Sequence, residues 1–167
     1  MPNLSETAAE NLSQLVGLNL SMAYYAGNVR LFHFGLSSSG ECGKYAIHLQ
    51  CPWRVETAAA VLTGLNDWYV PAASDELAHD DWDPAKGGSL QEAVLRELMG
   101  DTANPSRSII NRSGALVVVG VDTDAFGGFR LNFSGDMRLS VFPCSSKGEQ
   151  WRLLQPDTEL EHFVLEF

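Results

Sequence analysis

The sequence has 167 residues, the length of one domain, and we expect residues 1–167 to fold as a single unit. Its 11 basic and 21 acidic residues give a formal net charge of −10 at pH 7, which argues against the basic surface that nucleic-acid binding requires. The hydrophobic content of 45% is that of a folded domain and argues against intrinsic disorder.

Three features of the sequence favour a cytoplasmic protein. The first twenty residues contain no Lys or Arg and no continuous apolar block, so they lack the pattern of a secretory signal. The longest run of apolar residues and glycine, residues 114–121, is much shorter than the roughly 20 residues of a membrane-spanning helix. The three cysteines form no C-x-x-C pair and fit free thiols in a reducing compartment. We therefore expect no membrane contact.

Apolar residues at helical spacing predict two helices. The first covers residues 4–16 and ends before Gly17. The second begins at Ser89, which has the spacing of a capping box with Glu92, and it ends at Gly100.

Stretches rich in β-branched and aromatic residues predict antiparallel strands between and after the helices. Those between the helices cover residues 18–25, 28–36 and 44–55, with short strands at 61–63 and 68–70. Those after the second helix form a predicted meander at residues 115–122, 129–133, 137–142, 151–154 and 162–167. Gly135-Asp136 has the composition of a tight hairpin turn. The predicted fold class is α+β, with predominantly antiparallel sheet and two principal helices.

A helix followed by antiparallel strands occurs twice, and a P/Q-W-R triplet recurs in each half. The two triplets are Pro52-Trp53-Arg54 and Gln150-Trp151-Arg152. One interpretation is a pseudo-duplicated helix-plus-strands unit. The other is that a short, common pair of residues occurs twice independently.

The densest acidic segment, residues 75–83, has five carboxylates, no basic residue and one tryptophan. The residues of interest in it are Asp75, Glu76, Asp80, Asp81 and Trp82. Their spacing fits no calcium loop, so we expect no metal. The segment is either a solvated surface loop or a recognition segment that steers a basic protein partner, with Trp82 as an aromatic anchor.

A second candidate site follows from the alternation of side chains along the predicted strand at residues 44–55. This alternation places His48, Gln50 and Arg54 on one face. Asp67, Trp68 and Tyr69 stand near a loop, where aromatic residues and arginine often form a binding surface. Together these residues predict a cleft for a small molecule or a substrate, although edge packing of a small sheet is the commoner explanation for the aromatic residues.

The common catalytic signatures are absent from the sequence. It contains no G-x-S-x-G, Walker A, G-x-G-x-x-G or H-E-x-x-H motif. His48 and Cys51 are three residues apart, and an extended strand places them on opposite faces, which disfavours a Cys-His dyad. We assign no catalytic residue and expect no cofactor, so the sequence favours a protein that is not an enzyme.

Several short blocks, in the same order along residues 31–164, resemble those of a group of small bacterial proteins whose function is not established. The blocks are L-F-H-F-G at 31–35, A-I-H-L-Q-C-P-W-R at 46–54, T-G at 63–64, D-W-Y-V-P at 67–71, D-W at 81–82, V-F-P at 141–143, E-Q-W-R-L at 149–153 and H-F-V at 162–164. The H-x-Q-C-P-W-R block is the most specific. The resemblance implies a single α+β domain and, by looser association with small acidic proteins, an immunity-type inhibitor of a toxin.

Three functional hypotheses follow. The leading one is a non-catalytic binding protein, of the immunity type, whose acidic surface covers a basic partner. The alternative is a small-molecule-binding protein or enzyme with a cleft around His48, Arg54 and Tyr69. The third is a homodimer that associates through strand edges or exposed aromatic residues.

Overall fold

The computed structural model describes residues 3–73, 81–104 and 106–167. These residues form two α-helices, short 3₁₀ helices and eleven β-strands. In chain order the principal elements are α1 (Leu4–Leu12), β1 (Leu20–Ala26), β2 (Val29–Phe34), β3 (Tyr45–Leu49), β4 (Trp53–Glu56), β5 (Val61–Gly64), α2 (Leu90–Met99), β6 (Ile109–Ile110), β7 (Val118–Thr123), β8 (Phe129–Phe133), β9 (Arg138–Val141), β10 (Glu149–Leu154) and β11 (Phe163–Glu166). The 3₁₀ helices cover Ser13–Leu15, Leu65–Tyr69 and Pro84–Lys86.

The strands form two antiparallel sheets, which confirms the predicted α+β class. The first sheet has the order β11-β10-β3-β2-β1-β6, and the second has the order β5-β4-β9-β8-β7. None of the described helices is long and apolar enough to cross a membrane. The three cysteines are free thiols.

Both predicted helices are present, although α1 ends at Leu12 and Ser13–Leu15 form a 3₁₀ helix where the prediction extended the first helix to residue 16. Local hydrogen bonds explain where the two helices begin. α1 starts with a full capping box, in which Glu6 N–H donates to the Asn3 side chain at 2.9 Å and Asn3 N–H donates to the Glu6 carboxylate at 3.0 Å. In α2 the Ser89 hydroxyl accepts from Glu92 N–H at 3.1 Å. The Glu92 carboxylate accepts from Gly88 N–H at 3.3 Å and not from Ser89, so the predicted box is only half formed.

The prediction of one strand over residues 44–55 is wrong. The chain leaves the first sheet after β3 and enters the second sheet as β4. Pro52 has no N–H to continue the ladder, and the N–H of Gln50, two residues before it, donates to the Gln150 carbonyl at 2.9 Å. The alternation of side chains therefore does not continue from one side of Pro52 to the other.

Two further predictions are corrected. Residues 68–70, predicted as a strand, lie mostly in the 3₁₀ helix Leu65–Tyr69. The predicted meander covers only β7, β8 and β9, because β10 crosses to the first sheet and pairs with β3 and β11. The turn between β8 and β9 contains Gly135 and Asp136 as predicted, and both have positive φ angles, of 81° and 64°.

The order of the strands repeats in the two halves of the chain. Each half forms a three-stranded meander, β1–β3 or β7–β9, and then sends two strands to the edge of the other meander. Trp53 of β4 pairs with Val141, the last residue of β9, and Trp151 of β10 pairs with Leu49, the last residue of β3. This arrangement favours the pseudo-duplicated interpretation, with β6 as an addition to it.

The inner faces of the two sheets and the apolar faces of both helices share one hydrophobic core. The two equivalent tryptophans lie within it and make edge-to-face contacts between the sheets. Phe32 contacts Trp53 with ring centroids 5.3 Å apart, and Phe129 contacts Trp151 at 4.9 Å. Aromatic pairs of this geometry add to the stabilisation from burial, so they hold the two sheets together.

Candidate functional site

A cavity of about 190 Å³ lies beside the turn between β1 and β2. It is enclosed by that turn, by the 3₁₀ helix Leu65–Tyr69, by the 3₁₀ helix Pro84–Lys86 and by the first turn of α2. Its walls are formed by Tyr25, Gly27, Arg30, Trp68, Pro84, Ala85, Gly87, Glu92 and Arg107. We call it the arginine pocket, because a buried arginine forms part of its wall.

Two aromatic rings and the guanidinium group of Arg30 are packed together in this wall. Tyr25 and Arg30 are directly opposite each other on β1 and β2, so their side chains share one face of the sheet. The rings of Tyr25 and Trp68 are stacked, with centroids 4.1 Å apart and planes 7° from parallel. The Arg30 Cζ atom lies 4.7 Å from the Tyr25 centroid and 5.6 Å from that of Trp68, within the range of cation–π attraction.

Arg30 is buried, with 1% of its surface exposed. Burial lowers its pKa to about 10, while the nearby Tyr25 and Glu92 act in the opposite direction. One of its terminal nitrogens donates to the Gln91 side-chain oxygen, but its Nε atom is buried without a hydrogen-bond partner. The guanidinium group therefore keeps unused donor capacity inside the protein.

Gln91 holds this part of the site in place. Its side-chain nitrogen donates to the carbonyl of Gly64 at 2.9 Å and to that of Leu65 at 3.2 Å, while its oxygen accepts from Arg30. The amide thus links the first turn of α2 to β2 and to the start of the 3₁₀ helix. All of its hydrogen-bonding groups have partners, so its orientation is set by its surroundings.

Two further charged residues line the pocket. Glu92 lies 3.6 Å from the guanidinium of Arg96 and also accepts the hydrogen bond from Gly88 N–H. Arg107 is exposed and contributes a second guanidinium to the wall. Arg96 partly neutralises the negative charge of Glu92, so the pocket is more positive than the acidic chain as a whole.

Of the residues at 67–69 that the sequence singled out, only Trp68 lines the pocket. Asp67 accepts hydrogen bonds from the Thr63 hydroxyl at 3.0 Å and from Gly64 N–H at 3.2 Å, so its carboxylate caps the 3₁₀ helix. Tyr69 is 65% exposed, and its proximity contributes, after burial, to raising the pKa of Tyr25.

The predicted cleft around His48, Arg54 and Tyr69 assumed one continuous strand, but the break at Pro52 places His48 and Arg54 in different sheets. His48 belongs to the first sheet, opposite Arg152, and burial followed by that cation lowers its pKa. Arg54 belongs to the second sheet, where it pairs with Glu56 and lies 4.9 Å from the Phe142 ring centroid.

Gln50 is exposed beyond the end of β3 and lies on the side of the first sheet with His48 and Glu149. The pKa of Glu149 is lowered chiefly by its hydrogen bond with Arg152, and Gln50 contributes by hydrogen bonding. The polar residues of the predicted cleft thus belong to two separate groups: His48 and Gln50 lie near Arg152 and Glu149, and Arg54 pairs with Glu56.

The acidic segment is only partly described. Asp75, Glu76 and Asp80 lie outside the described residues, so the recognition hypothesis for them stays a prediction. Asp81 is exposed and Trp82 is half-buried. Homodimerisation also stays a prediction, and the exposed side chains of Val61 on β5, Val119 on β7 and Val164 on β11 lie along sheet edges.

Within the described residues, no three His, Cys, Asp or Glu side chains lie close enough together to bind a metal ion. Cys51 is buried, and burial together with the nearby Cys144 raises the pKa of its thiol to about 12. A thiol with this pKa is protonated at neutral pH and is a poor nucleophile.

Sequence reasoning missed the pocket residues Arg30 and Tyr25, and it missed Gln91, which holds Arg30 in place. Arg30 carried a signal: it alternates with Phe32 and Phe34, so it shares their inward face in a strand that is otherwise largely apolar. A charged residue on the dry face of a strand is unusual and indicates a specific role. Tyr25 and Gln91 carried no comparable signal, since each is ordinary in its local pattern.

Comparison with known proteins gives no relative for this chain: no protein-family model, no curated protein and no solved structure matches it. The resemblance based on the H-x-Q-C-P-W-R block therefore stays a prediction.

Proposed function

We propose that this is a non-catalytic binding protein whose ligand site for a small molecule is the arginine pocket. The observation that carries the proposal is the concave cavity of about 190 Å³ with a stacked pair of aromatic rings and a buried guanidinium in its wall. Small-molecule sites are typically concave and largely apolar, with a few polar groups that orient the ligand. The pocket has each of these properties.

The groups around the pocket favour binding over catalysis. Its single carboxylate among the described residues, Glu92, is engaged with Arg96 and Gly88 N–H. Burial raises the pKa of the Tyr25 hydroxyl, so the phenol stays protonated at neutral pH and offers no phenolate as a base. A ligand in this pocket meets groups that hold and orient it, and no activated nucleophile is among the described lining residues.

NMR with a library of planar fragments, recorded both on the fragments and on the protein, tests the proposal. We expect fragments to bind and to shift the indole resonance of Trp68, and we expect the Trp68→Ala variant to lose this binding. Phe142→Ala is the matched control, because Phe142 is an exposed aromatic residue on the second sheet. Binding that survives in Trp68→Ala, or that is lost equally in Phe142→Ala, would contradict the proposed site.

Recognition of a basic protein partner is a second candidate function, of the immunity type. It is supported by the net charge of −10 and by the exposed carboxylates of Asp81 and Asp83 on either side of Trp82. Long-range attraction of this kind accelerates association and weakens as ionic strength rises.

The partner hypothesis is tested with a basic protein recovered from the source lysate, whose association rate is measured from low to high salt. We expect the rate to fall steeply for the wild type and less steeply for a variant with Asp75→Asn, Glu76→Gln, Asp80→Asn and Asp81→Asn. A rate that does not depend on salt, or that is the same in both proteins, would remove the electrostatic argument.

A further inference from the structure

We propose that the ligand of the arginine pocket carries an anionic oxygen group, a carboxylate or a phosphate, attached to a planar ring, and that Arg30 is the charge partner of that group. This inference rests on the proposed function, because it assumes that the pocket is a ligand site.

The first argument is that the charge of Arg30 has no carboxylate partner among the described residues. Buried charged groups in proteins are normally paired, because their transfer out of water is costly. Within the described residues Arg30 has no carboxylate within ion-pair distance. Its contacts are the neutral oxygen of Gln91 and the faces of Tyr25 and Trp68.

The second argument is the unused hydrogen-bonding capacity of the same side chain. The Arg30 Nε atom is buried without a partner, although buried donors in folded proteins are almost always satisfied. Arg30 also forms part of the pocket wall. A guanidinium presents parallel N–H groups that match the two oxygens of a carboxylate or phosphate, so such a ligand would satisfy both the charge and the donor.

The third argument is the distribution of charge around the cavity. Arg30 and Arg107 both line it, and the lining carboxylate of Glu92 is shared with Arg96. Two guanidinium groups on one small cavity are notable in a chain with 11 basic and 21 acidic residues. The local charge therefore favours an anion, against the sign of the whole protein.

The shape of the pocket defines the rest of the ligand. The stacked rings of Tyr25 and Trp68 provide a flat apolar surface, on which a planar ring packs by offset stacking or edge contact. A cavity of about 190 Å³ is somewhat larger than the roughly 150 Å³ cavity that holds one benzene molecule. It is the size for one aromatic ring with an anionic substituent.

The test compares three probes of similar size: benzoate, phenyl phosphate and the neutral analogue benzamide. Titration of the wild-type protein at constant ionic strength, followed by calorimetry or NMR, is expected to give at least about tenfold tighter binding for one or both anions than for benzamide. The ratio of benzoate to phenyl phosphate affinity identifies the preferred oxygen group. Inorganic phosphate alone measures how much of the binding is independent of the ring.

Variants identify the residues responsible. Arg30→Met is expected to remove the preference for anions, and Arg107→Gln to reduce it several-fold. Lys147→Gln, which removes an exposed positive charge that does not line the pocket, is the matched control and should bind as the wild type does. If Arg30→Met fails to fold, the comparison of probes on the wild type and on Arg107→Gln still decides the question.

The outcomes separate this inference from the proposed function. Equal affinity for benzamide and for both anions overturns the anion inference and leaves the pocket as a neutral-ligand site. Absence of binding for all three probes, together with no fragment binding that depends on Trp68, overturns both. Anion binding that is lost in Lys147→Gln as strongly as in Arg107→Gln indicates nonspecific attraction and also overturns the inference.

Discussion

Trp53 and Trp151 occupy equivalent positions in the two halves of the fold, but only one of their indole groups has a hydrogen-bond partner. Trp151 Nε1 donates to the carbonyl of Gly127 at 2.8 Å, whereas Trp53 Nε1 is buried without an acceptor. The repeated topology therefore places a tryptophan in two equivalent positions, of which only one offers a hydrogen-bond acceptor to the indole N–H.

This asymmetry predicts different costs for the same substitution. Trp151→Phe leaves the buried Gly127 carbonyl without its partner, while Trp53→Phe removes an unsatisfied donor. We expect Trp151→Phe to lower the free energy of unfolding by about 2 kcal/mol more than Trp53→Phe does. Urea denaturation of both variants measures the difference, and equal losses would show that the Gly127 hydrogen bond contributes nothing.

His33 makes stability depend on pH. It is buried on β2, its Nδ1 accepts from Gly43 N–H at 3.0 Å, and burial followed by the nearby His48 lowers its pKa to about 4. Because the pKa in the folded state is below the ordinary value of 6.5, the contribution to stability is complete above pH 6.5 and is lost as pH falls toward 4.

The expected loss from this histidine is about 1–2 kcal/mol between pH 7 and pH 5, because the unfolded chain takes up a proton that the folded chain excludes. Unfolding curves at the two pH values measure it. His33→Gln should show a smaller dependence on pH, and His162→Gln, at an exposed position, should behave as the wild type. A dependence that is the same in His33→Gln would assign the effect to other groups.

Asp101 connects the end of α2 to the segment that follows it. Burial acts to raise the pKa of its carboxyl, but hydrogen bonds from Ile110 N–H, Arg112 and Asn104 outweigh burial and lower the pKa to about 2. We expect Asp101→Asn to cost about 2–4 kcal/mol, because it leaves buried donors and a guanidinium without a charged acceptor.

For Asp101 the stabilisation is present above pH 3.8 and is lost as pH falls toward 2, since the pKa in the folded state is below the ordinary one. Thermal unfolding at pH 7 compares the variant with Asp81→Asn, an exposed carboxylate that should tolerate the change. A similar melting temperature for both variants would contradict the proposed role of Asp101.

Gly43 is expected to tolerate no side chain. A Cβ atom at this position would lie 2.6 Å from the His33 Cβ and 2.7 Å from the Tyr45 carbonyl oxygen. Gly43→Ala is therefore expected to destabilise the fold by about 1–3 kcal/mol through overpacking.

Gly120→Ala is the matched control, because its nearest contact would be the Asn132 side chain at 3.7 Å. It is expected to be neutral or to stabilise β7, since glycine is unfavourable within a strand. Chemical denaturation of the two variants checks both expectations. Equal stability would mean that the backbone around Gly43 moves to accommodate a methyl group.

Local patterns predicted most of the elements correctly, because helices and strands depend on short-range periodicity. The cap residues Ser89 and Gly100 and the turn at Gly135-Asp136 lie where the sequence placed them. The errors occurred where a long-range partner decides the outcome. The change of sheet at Pro52 depends on Gln150, which is about a hundred residues further along the chain.

The candidate site was less predictable from the sequence, because it too depends on contacts between distant segments. Trp68 was identified from its type and its neighbours, but the cleft proposed around His48 and Arg54 assumed one continuous strand. Arg30 was detectable as a charged residue on an inward face of β2, whereas the contribution of Gln91 depends on how α2 packs beside β5 and β2.

The sequence by itself determined the α+β class, the start of both helices, the end of the second, most strand positions and the acidic charge that argues against nucleic acid. These properties depend on neighbours along the chain and on composition. Only the tertiary structure decided which sheet each strand joins, that Tyr25, Arg30 and Trp68 meet at one pocket, and that Gln91 accepts a hydrogen bond from Arg30. The physical reason is that strand pairing and burial depend on contacts between distant segments, which local periodicity does not encode.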